Sequence, residues 1–187
     1  MTEGRTHPCL WFETNARQAV DYWMSIFPDG KVHAVHTVPT DDAGVVDSVA
    51  ECAGVTDGDG LTRSGRDDLT VETGRVIAIE FELRGQRLVA LNGGQRHPFM
   101  PAISIQVICD RQDEIDYLWT ALSDGGEEGQ CGWLTDRFGL SWQIVPHGLP
   151  DMLSASDRDG AGRAMAAMIE MRKMDIATLS AAFEGRA

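Results

Sequence analysis

Apolar residues recur at strand and helix periods in two stretches of this chain, and the two stretches match one another. Residues 8–12, Pro-Cys-Leu-Trp-Phe, read as a short strand. Ala19, Val20, Trp23, Ile26 and Phe27 then recur at helical spacing, with Asn15 placed to cap that helix and Gln18 at the third helical position, as in a capping box. Pro28-Asp29-Gly30 stops it. Residues 31–38 are β-like, and 75–84 and 86–92 are two further strands joined by a tight turn at Gly85. A fifth strand at 103–109 leads into a helix that Asp110 can cap and that carries Ile115, Leu118, Trp119 and Leu122. Gly125-Gly126 ends it, and 132–136 and 141–146 are the last strands.

An offset of 95 residues superposes Val20 on Ile115, Asp21 on Asp116, Tyr22 on Tyr117 and Gly30 on Gly125. The preceding strands register as well, Leu10 on Ile105 and Phe12 on Val107. The fold class is therefore α+β, two βαβββ modules at about 6–94 and 102–147 within a domain of residues 1–148, followed by a helical extension at 149–187. In the extension a helix over 161–174 places Met165, Met168, Met171 and Met174 three residues apart. The two module helices already cover the two sheets, so this ridge is expected to pack at a homodimer interface. Residues 41–73 hold nine acids, two arginines and five glycines and read as an inserted loop outside the core, so deleting 47–67 is expected to leave thermal stability nearly unchanged.

Composition narrows the function classes. At 43% hydrophobic and 24% charged residues, the 187-residue chain can bury a core. Its net charge of −13 repels phosphate backbones and anionic lipids, so neither nucleic acid nor membrane is an expected partner. The longest apolar run, 164–169, has six residues, far below the ~18 needed to span a bilayer. No signal-peptide pattern opens the chain, and Cys9, Cys52, Cys109 and Cys131 form no Cys-x-x-Cys pair, so a reduced cytoplasmic protein is expected.

The motifs carry a resemblance. Pro8-Cys9-Leu10-Trp11-Phe12 with Asn15-Ala16, then Glu80-Phe81-Glu82-Leu83, Gly85-Gln86 and Ala90-Leu91-Asn92-Gly93-Gly94 are similar to a family's opening strand and central hairpin. The most specific block is Cys131-Gly132-Trp133-Leu134, Asp136-Arg137-Phe138-Gly139 and Ser141-Trp142-Gln143-Ile144-Val145-Pro146. Together they resemble the PhnB-like proteins labelled 3-demethylubiquinone-9 3-methyltransferase, in the vicinal oxygen chelate (glyoxalase / bleomycin-resistance) superfamily. The resemblance implies sheets curled around a central pocket, a small-molecule ligand or substrate, and a homodimer. A methyltransferase of the common kind needs a Gly-rich strand-to-helix turn, whereas Asn92-Gly93-Gly94 runs into Gln95-Arg96-His97-Pro98 with no helical pattern.

The wider superfamily often holds one divalent metal with four side chains. Residue by residue, His7 and Gln143 occupy two of those positions, while the other two fall on or near Ala90 and Ala102, which cannot ligate. No cofactor is expected, and a divalent metal is disfavoured. His33 and His36, three apart on a strand, are expected to face opposite sides.

Alternation places Leu10, Phe12, Ile77, Ile79, Phe81, Leu91, Ile103, Ile105, Val107, Trp142 and Ile144 under the helices. The opposite face offers Cys9, Trp11, Asn92, Ser104, Gln106 and Gln143, with Glu80, Glu82 and Ser141. Cys131 and Trp133 lie nearby. Such a face suits an uncharged organic ligand; the alternative is a solvated surface. Glu80 is the candidate general base, provided apolar neighbours desolvate it. A metal-independent binding protein leads, against a glyoxalase-like isomerase, lyase or transferase and against a protein-interaction module.

Overall fold

The computed structural model describes residues 6–38 and 75–186. The expected acidic loop at 41–73, and the deletion within it, lie outside the described residues. The chain divides into two compact units, Met1–His97 and Pro98–Ala187.

The first unit is β1 (Cys9–Phe12), α1 (Ala16–Ile26), β2 (Lys31–Val38), β3 (Arg75–Leu83) and β4 (Gln86–Asn92). Its sheet runs in the order β1-β4-β3-β2, with β1 parallel to β4 and the other pairs antiparallel. The apolar stripe of α1 buries Ala19, Val20 and Trp23, and the Trp23 indole stacks on Phe81 at 5.7 Å between centroids. The turn from β3 to β4 puts both Arg84 (φ 51) and Gly85 (φ 78) in the left-handed region, as a two-residue hairpin with right-handed strand twist requires.

The second unit repeats the plan as β5 (Ser104–Cys109), α2 (Gln112–Ser123), β6 (Glu127–Glu128), β7 (Trp133–Thr135) and β8 (Ser141–Pro146). The order is β5-β8-β7-β6, with β5 parallel to β8. The 95-residue repeat is therefore structural over the first strand and helix of each unit; the two-residue β6, with no sequence signature of its own, shortens the second copy. The expected α+β plan of two βαβββ modules is observed, each unit carrying its own four-stranded mixed sheet. Among the described residues no helix is long and apolar enough to cross a membrane.

Both expected helix caps are corrected. Asn15 occupies the N-cap of α1 but makes no side-chain capping bond; the Ala16 N–H donates instead to Asn92 Oδ1, 2.9 Å away on β4. The N-cap of α2 is Arg111 rather than Asp110, and the Asp110 N–H donates to Glu114 Oε2.

The C-terminal extension belongs to the second unit and comprises α3 (Leu149–Ser154), α4 (Arg158–Glu170) and α5 (Ile176–Phe183). The expected helix over 161–174 stops at Glu170, where Met171 turns extended (φ −89, ψ 145) and the chain becomes a strap. Cys131 and Gly132 donate their N–H groups to the carbonyls of Met171 and Arg172, each at 2.7 Å. The Gln112 side chain holds the strap from α2, donating to the Met174 carbonyl at 3.1 Å and accepting from the Ile176 N–H at 2.9 Å.

Met174 is 1% exposed in a cluster with Val145, Leu149 and Leu179, against which Cys131, Met152, Met168 and Met171 pack. Met168, Met171 and Met174 of the methionine ridge thus pack within their own unit. Met165 alone of the four is strongly exposed, at 40%. Met174→Ala should lower unfolding free energy by about 2–3 kcal/mol through lost burial and a residual cavity, read as a lower urea midpoint at unchanged m.

Two carboxylates tie this strap to pH. Lys173 and Gln112 hold the Asp116 carboxyl below its ordinary pKa, and hydrogen bonds from Thr178 do the same for Asp175, the N-cap of α5. Groups depressed in the native state stabilise it above the unfolded value, and that contribution disappears as pH falls through the native value. Amide-exchange protection of Ile176 and Thr178 should therefore fall on acidification below about pH 4, before the core amides of β8 respond.

Candidate functional site

Strand alternation gives each sheet a face buried under its helix and an open face. In the second unit Trp142 and Ile144 point under α2, beside Ile115 and Leu122, all nearly inaccessible. The alternate residues Ser141, Gln143 and Val145 face the other way, Gln143 half-buried and the other two covered there as well (Ser141 2%, Val145 6% exposed). Register pairs them with Ser104, Gln106 and Ile108 of β5, and pairs Gln143 with Trp133 of β7.

Side-chain hydrogen bonds link three of these residues. Gln106 Nε2 donates to Gln143 Oε1 at 3.3 Å, and Gln143 Nε2 donates to Ser104 Oγ at 2.7 Å. Gln106 is exposed, while Ser104, Gln143 and Trp133 are half-buried. At one end the face turns apolar at Ile108, which is 44% exposed, and at Val145, where the Met174 cluster closes over it. Of the expected ligand residues, Ser104, Gln106, Trp133 and Gln143 are brought together. Cys131 is not among them: its backbone is bonded to the strap, and its side chain packs into the methionine cluster with Sγ 4.0 Å from the Ile169 carbonyl.

The first unit's open face is chemically different. Register pairs Cys9 with Val89 and Trp11 with Leu91, placing the two expected ligand residues on it. Trp11 is occupied by its own surroundings. Its Nε1 donates to the Gln95 carbonyl at 2.9 Å, its ring meets His97 edge-on at 5.4 Å, and a Cβ at Gly93 would lie 1.9 Å from it. Gly93 is therefore required by the indole, and its close approach is internal packing. Cys9 is exposed as a residue, yet burial of its thiol pushes the pKa up and keeps it from acting as a ready thiolate.

Asn92 is not on the open face. It is 5% exposed beneath α1, beside Ala90, and its amide accepts from Ala16 and donates to the Val76 carbonyl at 3.0 Å. Leu91 correspondingly faces away from the helix. Sorting by residue type had exchanged these neighbours, because a buried polar residue with both ends bonded sits readily where an apolar one was expected. Ile103, expected under a helix, precedes β5 and is 74% exposed.

Glu80 forms a pair with His36, Oε1 to Nε2 at 3.0 Å, and Glu82 pairs with His33 at 3.2 Å, with Arg87 3.8 Å from Glu82. Among the described residues the Glu80 side chain is 43% exposed, without the apolar neighbours its candidacy as a general base calls for. The two histidines lie on the same face, contrary to expectation. A register shift between Val32 and Ala34 inserts one residue and changes the phase of the strand. The broken alternation of Val32 and Val35 is the trace of that bulge in the sequence.

The donor set does not fit the superfamily's divalent metal. Leu91 pairs with Trp11 as Gln143 pairs with Gln106, so Leu91 holds the place in β4 that Gln143 holds in β8. Ala90 is wholly buried beneath α1. Neither has a lone pair to give, and Ala102 has none either. Among the described residues no group of three or more His, Cys, Asp or Glu side chains could hold a metal ion.

Two four-stranded mixed sheets, each built as βαβββ and backed by one helix, define a fold of the vicinal oxygen chelate kind. The chain belongs to the family described as 3-demethylubiquinone-9 3-methyltransferase, whose profile matches residues 4–61 and 60–145. A Bacillus cereus PhnB protein is similar in structure with a TM-score of 0.54 at 23% identity, over 76% of this chain and 99% of that one. A Pseudomonas aeruginosa protein gives a TM-score of 0.50 at 18% identity, over 77% and 98%. Both likenesses concern the fold. No curated protein matches the chain.

Proposed function

We propose that this chain binds a small uncharged organic molecule on the open face of its second sheet, through Ser104, Gln106, Gln143 and Trp133, without a resident divalent metal. The observation that carries the proposal is Gln143, hydrogen-bonded to both Ser104 and Gln106 and paired in register with Trp133. An aromatic side chain beside fixed neutral polar groups, next to the apolar Ile108, suits a partly apolar ligand with a few hydrogen-bonding atoms. The family description names a methyl transfer. Nothing local supports that chemistry here, since the Asn92-Gly93-Gly94 turn leads into no helix and Trp11 fills the space over Gly93.

Native mass spectrometry of the purified protein should find an organic adduct that Gln143→Leu and Trp133→Ala each release. Protein free of adduct, or adduct retained by both variants, would defeat the proposal. Elemental analysis of the same sample should find no stoichiometric Zn, Ni, Mn or Fe; a stoichiometric metal overturns the metal-independent part. A second reading, acid–base catalysis on the first sheet, is favoured by the His36–Glu80 pair, in which a carboxylate fixes an imidazole that is itself solvent-accessible. We also propose a homodimer, to be measured by light scattering.

A further inference from the structure

Resting on that site, the direction of its hydrogen bonds specifies a ligand class. Gln106 donates to Gln143 and Gln143 donates to Ser104, so the three side chains form a one-way relay across β5 and β8. Ser104 Oγ is an acceptor within the relay, which leaves its own O–H as the terminal donor. Each bond in such a chain polarises the next and strengthens that donor. At the other end the Gln106 carbonyl oxygen is the terminal acceptor, on an exposed side chain.

The two ends sit two residues apart on one strand, and are therefore about 7 Å apart along it. Trp133, half-buried, lies on the far side of Gln143 from Gln106 and offers a ring to stack on. No cation belongs to the Ser104, Gln106, Gln143 and Trp133 set, so an anionic ligand would gain no charge partner from it. We propose that the site selects a neutral planar ring carrying a carbonyl at one end, read by the Ser104 hydroxyl, and a hydroxyl or N–H at the opposite end, read by the Gln106 carbonyl.

The probes are 4-hydroxyacetophenone, which has both groups at about that spacing, and 4-ethylphenol, which lacks the carbonyl. In nitrogen-15 NMR titrations of the full chain, 4-hydroxyacetophenone should shift the side-chain amides of Gln106 and Gln143 and the Trp133 indole. It should bind about tenfold more tightly than 4-ethylphenol, the worth of one well-placed hydrogen bond. Ser104→Ala should abolish the preference for 4-hydroxyacetophenone over 4-ethylphenol, and Ser104→Thr should restore it. Equal binding of the two probes, or a preference that survives Ser104→Ala, overturns the ligand class but leaves the site standing. Absence of shifts at Gln106, Gln143 and Trp133 with both probes overturns the class and the site together.

Discussion

Asp136→Leu is expected to cost about 4 kcal/mol of unfolding free energy, because one buried carboxylate satisfies three donors at roughly 1–3 kcal/mol each. Asp136 is 2% exposed at the turn between β7 and β8. Its Oδ1 accepts from the N–H groups of Phe138 (2.9 Å) and Leu140 (3.0 Å), and its Oδ2 accepts from Trp142 Nε1 (2.9 Å). Leucine has the same branched shape and answers none of them. Asp136→Asn keeps the shape and loses less, since one oxygen still accepts while the new N–H₂ confronts a donor. Chemical denaturation should rank the variants wild type, Asn, Leu, in falling stability. Trp142 immediately precedes Gln143, so a loosened hairpin should also weaken 4-hydroxyacetophenone binding without removing any side chain of the site. If Asp136→Leu matches wild type in both stability and binding, the carboxylate is not the organiser of this turn.

The plan of the fold was legible because it is written twice. Leu10, Phe12, Val20 and Tyr22 recur as Ile105, Val107, Ile115 and Tyr117, and a unit that must bury the same helix face against the same strands repeats the same periods. The tail is less legible. Met165, Met168, Met171 and Met174 keep helical spacing, but spacing carries no information about the backbone bonds from Cys131 and Gly132 that pull Met171 and Arg172 out of the helix. Those bonds join residues some forty apart in sequence, and a local period cannot foresee them.

The candidate site divides in the same way. Ser104, Gln106 and Gln143 share one face, as parity predicts, because β5 and β8 alternate without interruption. On β2 a bulge changed parity halfway, and His33 and His36 came out on one side against the expectation. Cys131 was attractive for its position beside Trp133, but Gly132 turns the chain between them (φ 77) and Cys131 itself is left-handed (φ 56), which aims it elsewhere. At Asn92 residue type points to an open-face group, whereas the structure buries the side chain beneath α1.

That last case yields the second large effect. A helix start leaves backbone N–H groups without partners, and the expected remedy was the local one, the Asn15 side chain. The structure assigns the task to Asn92, which accepts from the Ala16 N–H and donates to the Val76 carbonyl while only 5% exposed. One amide thereby joins the start of α1 to β4 and the start of β3. Asn92→Leu keeps the branched shape but leaves a buried donor and a buried acceptor unanswered, a cost of about 3 kcal/mol. Asn15→Ala removes a side chain that makes no capping bond and should cost less than about 0.5 kcal/mol, where a working N-cap would cost about 1 kcal/mol. Urea unfolding of the two variants side by side decides the matter. A larger loss for Asn15→Ala than for Asn92→Leu would mean that the helix is capped locally after all.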